Sequence, residues 1–163
     1  MVPRGQDLWQ TQSPGLVNTV ISMTNQIHSG VTILPTHECW DLLGGATLGR
    51  LVTSVDGRPE IFPVNYAVQR QTILFRTAEG TKLVSAAINN QVVFEVDDHN
   101  VAEGWSVIVR GTARSLRSDD EIADAERAQV LPWTSYEKSH YIRVIPEMVT
   151  GRRFQFGSLP GNG

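Results

Sequence analysis

The chain is short of most features that announce a function. It has one cysteine, Cys39, in 163 residues, so no internal disulfide framework can form, and a reducing cytoplasm is the expected setting. Its longest apolar runs are three residues, as in Ile73-Leu74-Phe75 and Val107-Ile108-Val109. A membrane-spanning helix needs about 20, so no membrane partner is expected. No basic stretch followed by an apolar one opens the chain, and no secretory signal is read there. Positive charge is not in excess either. Lys and Arg number 14 against 17 Asp and Glu, a net charge of −3, whereas a surface that tracks the phosphates of a duplex usually makes its domain basic. No nucleic-acid partner is expected. With 40% apolar and 19% charged residues, what remains is a single globular domain of ordinary composition.

Catalytic signatures are equally scarce. The sequence contains no GxGxxG, no GxxxxGK[ST], no HExxH and no CxxC, which excludes nucleotide loops and zinc helices of those types. His37-Glu38 has no second histidine at the spacing a zinc helix needs. Asp97-Asp98-His99-Asn100 gathers metal-binding residue types, but neighbours on a strand point to opposite faces, and the stretch reads as a solvated turn. Cys39 has no basic neighbour to stabilise a thiolate; it reads as a buried apolar residue on a helix face with Trp40 and Leu43. His28, His37 and His140 have no partner that the sequence identifies. No hydrolytic triad and no metal site emerge, and no catalytic residue is nominated.

What is present is a strand-rich pattern. Residues 1–32, rich in Gln, Ser, Thr, Asn and Gly, read as a mobile or peripheral arm. Residues 33–154 read as the folded domain and residues 155–163 as a disordered tail. Pro35-Thr36 opens a short helix with Thr36 as its N-cap, and Gly44-Gly45 ends it. Leu48 to Val55 is a strand that runs into the hairpin signal Asp56-Gly57. Ile61 to Val68 returns; its Pro63 removes a ladder donor and favours an edge or ligand-facing position. After a turn at Gln69-Arg70-Gln71 come a strand, Thr72 to Thr77, and a helix over Thr81 to Asn89 with Leu83, Val84, Ala87 and Ile88 at helical spacing. Gln91 to Val96 and Trp105 to Leu116 are strands. Ser118 and Glu121 form a capping box that opens a helix to about Val130. Tyr141 to Val149, broken at Pro146, is the last strand. Strands joined directly by short turns do not alternate with helices as a doubly wound sheet requires. The expected fold is a β-rich α+β domain, a small antiparallel barrel with a few short helices.

One segment carries chemistry. Phe75-Arg76-Thr77-Ala78-Glu79-Gly80-Thr81-Lys82-Leu83 ends a strand, makes a Gly-containing turn and starts a helix. Two hydroxyls, free backbone N–H groups and a lysine then meet at a helix N-terminus, where the dipole and unpaired amides favour a phosphate. Simple capping of the helix by Thr81 accounts for the same residues equally well. Upstream, Pro63-Val64-Asn65-Tyr66 offers backbone groups, an amide and a ring to a flat heteroaromatic ligand. Downstream, Gly104-Trp105-Ser106 opens the longest strand and Gly151-Arg152-Arg153-Phe154 closes the ordered chain.

These pieces, in this order, resemble the pyridoxamine 5'-phosphate oxidase-like family of FMN-binding split barrels, closest to the small branch that includes nitroimidazole-resistance-type proteins. The match takes in Glu38-Cys39-Trp40, Gly49-Arg50-Leu51, Pro63-Val64-Asn65-Tyr66, Phe75-Arg76-Thr77 with Gly80-Thr81-Lys82-Leu83, Phe94-Glu95-Val96-Asp97, Gly104-Trp105-Ser106-Val107, Pro132-Trp133 and Thr150-Gly151-Arg152-Arg153. The resemblance implies a six-stranded antiparallel split β-barrel that forms a homodimer, with FMN in clefts at the subunit interface. By the same resemblance Thr77, Thr81 and Lys82 would hold the phosphate and Pro63, Val64, Asn65 and Tyr66 would line the ring. Trp105, Ser106 and Arg152 would lie near the flavin from the partner subunit, with Arg50 a further contact. Glu95 and Asp97 read as structural. The implied activity is oxidation or reduction of a small-molecule substrate. The Arg-x-His of true pyridoxamine phosphate oxidases is absent at Arg152-Arg153-Phe154-Gln155, which argues against that particular oxidation. A flavin- or heme-sequestering module and a deazaflavin-dependent reductase are the alternatives on the same barrel.

Overall fold

The computed structural model describes residues 30–78, 87–88, 90–131 and 139–157. Among them run β1 (Val31–Leu34), α1 (Thr36–Gly45), β2 (Leu48–Val55), β3 (Arg58–Gln69), β4 (Thr72–Ala78), β5 (Gln91–His99), β6 (Glu103–Ser115), α2 (Asp119–Glu126) and β7 (Ser139–Gln155). The strand order is β1-β7-β4-β3-β2-β5-β6, and β6 pairs back onto β7. Strands β2 to β7 therefore close a six-stranded barrel, antiparallel at every step, with β1 added outside the ring.

The length of β7 makes this closure possible. One of its edges follows β6 from Ile142 to Gln155. The other pairs with β4 over Ser139 to Val144 and with β1 over Gly151 to Phe154. Between those two partners the barrel wall is split. Pro146 lies in that gap, and the register along β6 shifts between Arg110 and Gly111 beside it. The bulge takes up the missing ladder donor without ending the strand. Gly111 is required there, because a Cβ would stand 2.0 Å from the carbonyl oxygen of Ile145.

Alternation along each strand sorts the side chains into two sets. Leu51, Val64, Tyr66, Ile73, Phe75, Phe94, Val96, Val107 and Val109 point inward and are buried. Tyr66 and Phe94 meet edge to face at 4.8 Å, a favoured aromatic geometry. Gly49 leaves room for that pair, since its Cβ would lie 2.3 Å from the Phe94 ring. A second cluster of Leu74, Leu116, Ala125, Val130 and Tyr141 packs α2 against the outside of the barrel.

Several local expectations are corrected by the structure. The N-cap of α1 is Pro35, with no side-chain cap bond, and Thr36 is already helical. β5 continues to His99, so Asp97-Asp98-His99 is strand. The turn falls at Asn100, whose Oδ1 accepts from the N–H groups of Ala102 and Glu103. Val31 and Thr32 belong to β1, and β7 takes in Gln155. Asp56 and Gly57, with φ of 51° and 76°, form the positive-φ hairpin turn read from their identities. Ser118 caps α2 through the N–H of Glu121, while α2 itself ends at Glu126. Cys39 is fully buried, and burial together with the adjacent Glu38 pushes its thiol pKa up, as befits a packing residue. Most of the helix expected over residues 81–89, together with Pro132-Trp133, lies outside the described residues. Among those described, no helix is long and apolar enough to cross a membrane.

Candidate functional site

The register of five adjacent strands decides which expected site residues can act together. Arg50 of β2 stands opposite Pro63 of β3 and Glu95 of β5. Glu95 stands opposite Ile108 of β6, and Ile108 opposite Thr150 of β7. In the neighbouring row Leu48 pairs with Asn65, Asp97 with Ser106, and Ser106 with Arg152. Alternation puts all of these on the outer face of the barrel. Pro63, Asn65, Ser106, Arg152 and Arg50 thus share one continuous surface.

The other expected residues do not point there. Val64 and Tyr66 face inward, and the Tyr66 hydroxyl donates to the carbonyl of Leu43 at 2.6 Å. Burial holds that phenol above its usual pKa range. In this strand only backbone, Pro63 and Asn65 remain to meet a ligand. Trp105 is half-buried and packs against the core cluster, on the side opposite Ser106. Thr77 shares the inward phase of Ile73 and Phe75 and pairs with His140. Thr81 and Lys82 lie outside the described residues.

At the β6–β7 end of this surface a shallow, open groove is lined by Ser106, Ile108, Thr150, Gly151, Arg152 and Phe154. Two hydroxyls and a guanidinium stand among apolar walls. Arg152 is exposed and makes no ion pair or hydrogen bond with the described residues. Its neighbour Arg153 is committed elsewhere, to Glu38 at 2.7 Å and Glu103 at 3.6 Å. Beside the groove the Arg50 guanidinium binds the carboxylates of Glu95, at 2.7 Å, and Asp97. Those two carboxylates, Asp97 first, hold Arg50 above its ordinary pKa. Ser106 Oγ donates to the other Glu95 oxygen at 3.2 Å.

Sequence reasoning missed Ile108, Thr150 and Phe154 as groove residues and gave Glu95 no part in the site. Their only signal is register. Glu95 and Asp97 are two apart on one strand, as are Ser106 and Ile108, but nothing local says which faces which. Among the described residues no group of His, Cys, Asp and Glu could hold a metal ion.

A split barrel with a hydroxyl- and arginine-lined groove on its outer face defines a class of fold, and comparison with known proteins identifies it. The sequence profile of the pyridoxamine 5'-phosphate oxidase family matches residues 35–153, and the chain belongs to that family. An uncharacterized protein of Mycobacterium tuberculosis is 59% identical over 93 residues, 57% of this chain and 84% of its own. The FAD binding protein from Mycobacterium smegmatis is also 59% identical; the match covers 77% of this chain and 99% of that one, with a TM-score of 0.70. An FAD-binding protein from Mesorhizobium loti is 26% identical over 76% of this chain and 97% of its own, with a TM-score of 0.63.

Proposed function

We propose that this chain is a homodimeric flavoprotein that holds FMN on the outer face of the barrel and uses it to oxidise or reduce a small molecule. The observation that carries the reading is the groove. Arg152 keeps its donors for a ligand, Ser106 and Thr150 add hydroxyls, and Ile108 and Phe154 supply apolar wall. That set fits a flavin, whose ring is flat and apolar with a polar edge. A bound flavin would supply the redox chemistry by accepting and donating a hydride, and the protein would bind and orient it. Thr81 and Lys82 would anchor the phosphate. The relative from Mycobacterium smegmatis is named for FAD, which favours the dinucleotide as the second reading.

The dimer part rests on two features of the same surface. Along the sheet Ser106 lies three strand spacings from Pro63 and Asn65, and Arg152 four, roughly 14 and 19 Å at the usual separation. A second copy docked on this face would bring the partner's copy of the groove against β3. Leu48, Ile61 and Met148, more than half exposed at 51%, 62% and 54%, are the apolar side chains such a docking would cover.

An absorption spectrum of the purified protein, with mass spectrometry of the released ligand, tests the reading. Flavin bands and the mass of FMN are expected; the mass of FAD would select the dinucleotide. A Soret band, or a colourless protein that binds neither flavin, overturns it. Bleaching by NADH or NADPH supports turnover, and its absence with every donor tried would reduce the protein to a flavin-holding module. Sedimentation at micromolar concentration should show a dimer.

A further inference from the structure

Glu95 sits between two groups that ask opposite things of it. One carboxylate oxygen accepts from the Arg50 guanidinium at 2.7 Å. The other accepts the Ser106 hydroxyl proton at 3.2 Å. A carboxylate oxygen only accepts, and a hydroxyl has one proton. The proton of Ser106 is therefore spent on Glu95, and Ser106 turns lone pairs toward the groove. Asp97 also binds Arg50, which fixes the guanidinium against Glu95 and keeps that carboxylate from rotating away. Beside Ser106, in direct cross-strand register, Arg152 can only donate. The groove thus shows an acceptor next to a donor.

We propose that Glu95 is a positioning residue that sets the hydrogen-bond polarity of Ser106, so that the groove reads a ligand edge on which an N–H lies beside a carbonyl. This rests on the flavin reading above and deepens it. The uracil-like edge of a flavin has that arrangement, an imide N–H flanked by two carbonyls. Ser106 accepts from the imide N–H and Arg152 donates to an adjacent carbonyl. Glu95 touches no ligand; it acts through Ser106. The buried hydroxyl of Tyr66 and the thiol of Cys39 offer nothing comparable, since both point into the core.

The test is the equilibrium affinity of the apoprotein for FMN, FAD and their 3-methyl derivatives, read by quenching of flavin fluorescence. The wild type should bind the unmodified rings at least tenfold more tightly than the methylated ones, which lack the N–H. In Glu95→Gln the amide oxygen must face Arg50, so its NH₂ faces Ser106 and donates to it. Ser106 then turns its own proton into the groove. That variant should lose or reverse the preference, with its melting temperature unchanged. Ser106→Ala should also lose the preference, because the acceptor is gone. Equal wild-type affinity for methylated and unmethylated flavin would overturn the proposal, as would full wild-type discrimination in Glu95→Gln. A wild type that binds no flavin at all is a different result: it removes the flavin reading itself and this proposal with it.

Discussion

The outer face of β6 and β7 has two ends, built from the same two strands and both rich in arginine, yet they are finished in opposite ways. At one end Arg114 and Arg143 stand directly opposite each other, a like-charge pair that on its own is unfavourable. Helix α2 lies over them and offers two carboxylates one turn apart. Glu121 takes Arg114 at 2.5 Å, and Asp124 lies 3.9 Å from Arg143. Arg143 also donates to Gln69 Oε1 at 2.7 Å and Thr72 Oγ1 at 3.1 Å, and Gln69 donates in turn to the carbonyl of Asp124. The Arg143 side chain keeps 10% of its exposure. At the other end no described element covers Ser106 and Arg152. The comparison separates two uses of the same residue type. Where the protein satisfies an arginine's donors itself, the arginine holds the fold together; where it leaves them open, they are available to a ligand.

Two substitutions test that contrast. Arg143→Ala is expected to have the largest effect on stability, about 3 kcal/mol, because it removes the charged donors from Gln69 Oε1 and Thr72 Oγ1 and leaves a void beneath α2. Urea unfolding measures it, and flavin affinity well below the transition should stay within twofold of wild type (roughly 0.4 kcal/mol). A loss under 1 kcal/mol (about the worth of a single ordinary hydrogen bond) would show that the covered end is not a latch. Arg152→Ala should do the reverse. Flavin affinity is expected to fall about tenfold, or ~1.4 kcal/mol, with the unfolding midpoint unmoved. If both variants changed stability and binding together, the division between the two ends would collapse.

The division was only partly visible in the sequence. Hairpin chemistry at Asp56-Gly57, the capping pair Ser118 and Glu121, and period-two burial in β2 are local signals, and local signals place elements well. The ordered motifs from Glu38 to Arg153 were enough to give the barrel and its family. What could not be read was phase and register. Val64-Asn65-Tyr66 and Trp105-Ser106 look like contiguous binding segments, but a strand sends alternate residues to opposite sides, so Tyr66 and Trp105 turn to the core while Asn65 and Ser106 face out. The pairing of Glu95 with Arg50 and Ser106 spans three strands and is set by closure of the barrel. Arg143 gave no sign that a helix from residues 119–126 would bury it.

Acid provides a smaller test of the covered end. Arg114, hydrogen-bonded to the Glu121 carboxyl, holds it down to about 2 against an ordinary value of 4.5, with the backbone N–H groups of Arg117 and Ser118 assisting and burial opposing. Arg127 foremost, then Arg70 and Arg143, hold Asp124 below its usual range as well, also against burial. A carboxyl whose pKa is depressed in the folded state stabilises that state above its unfolded pKa, and the contribution is lost as pH falls through the folded one. The melting temperature should therefore decline between pH 4.5 and about 2. The Glu121 side chain is 35% exposed, so solvent screens its ion pair and the decline should be modest. Glu121→Gln should flatten it. Hydrogen exchange gives the location: amides of α2 should lose protection in this range before those of β5 and β6 around Ser106. Equal loss at both ends would mean that α2 is not the element held by these ion pairs, and an unchanged slope in Glu121→Gln would remove Glu121 from the latch.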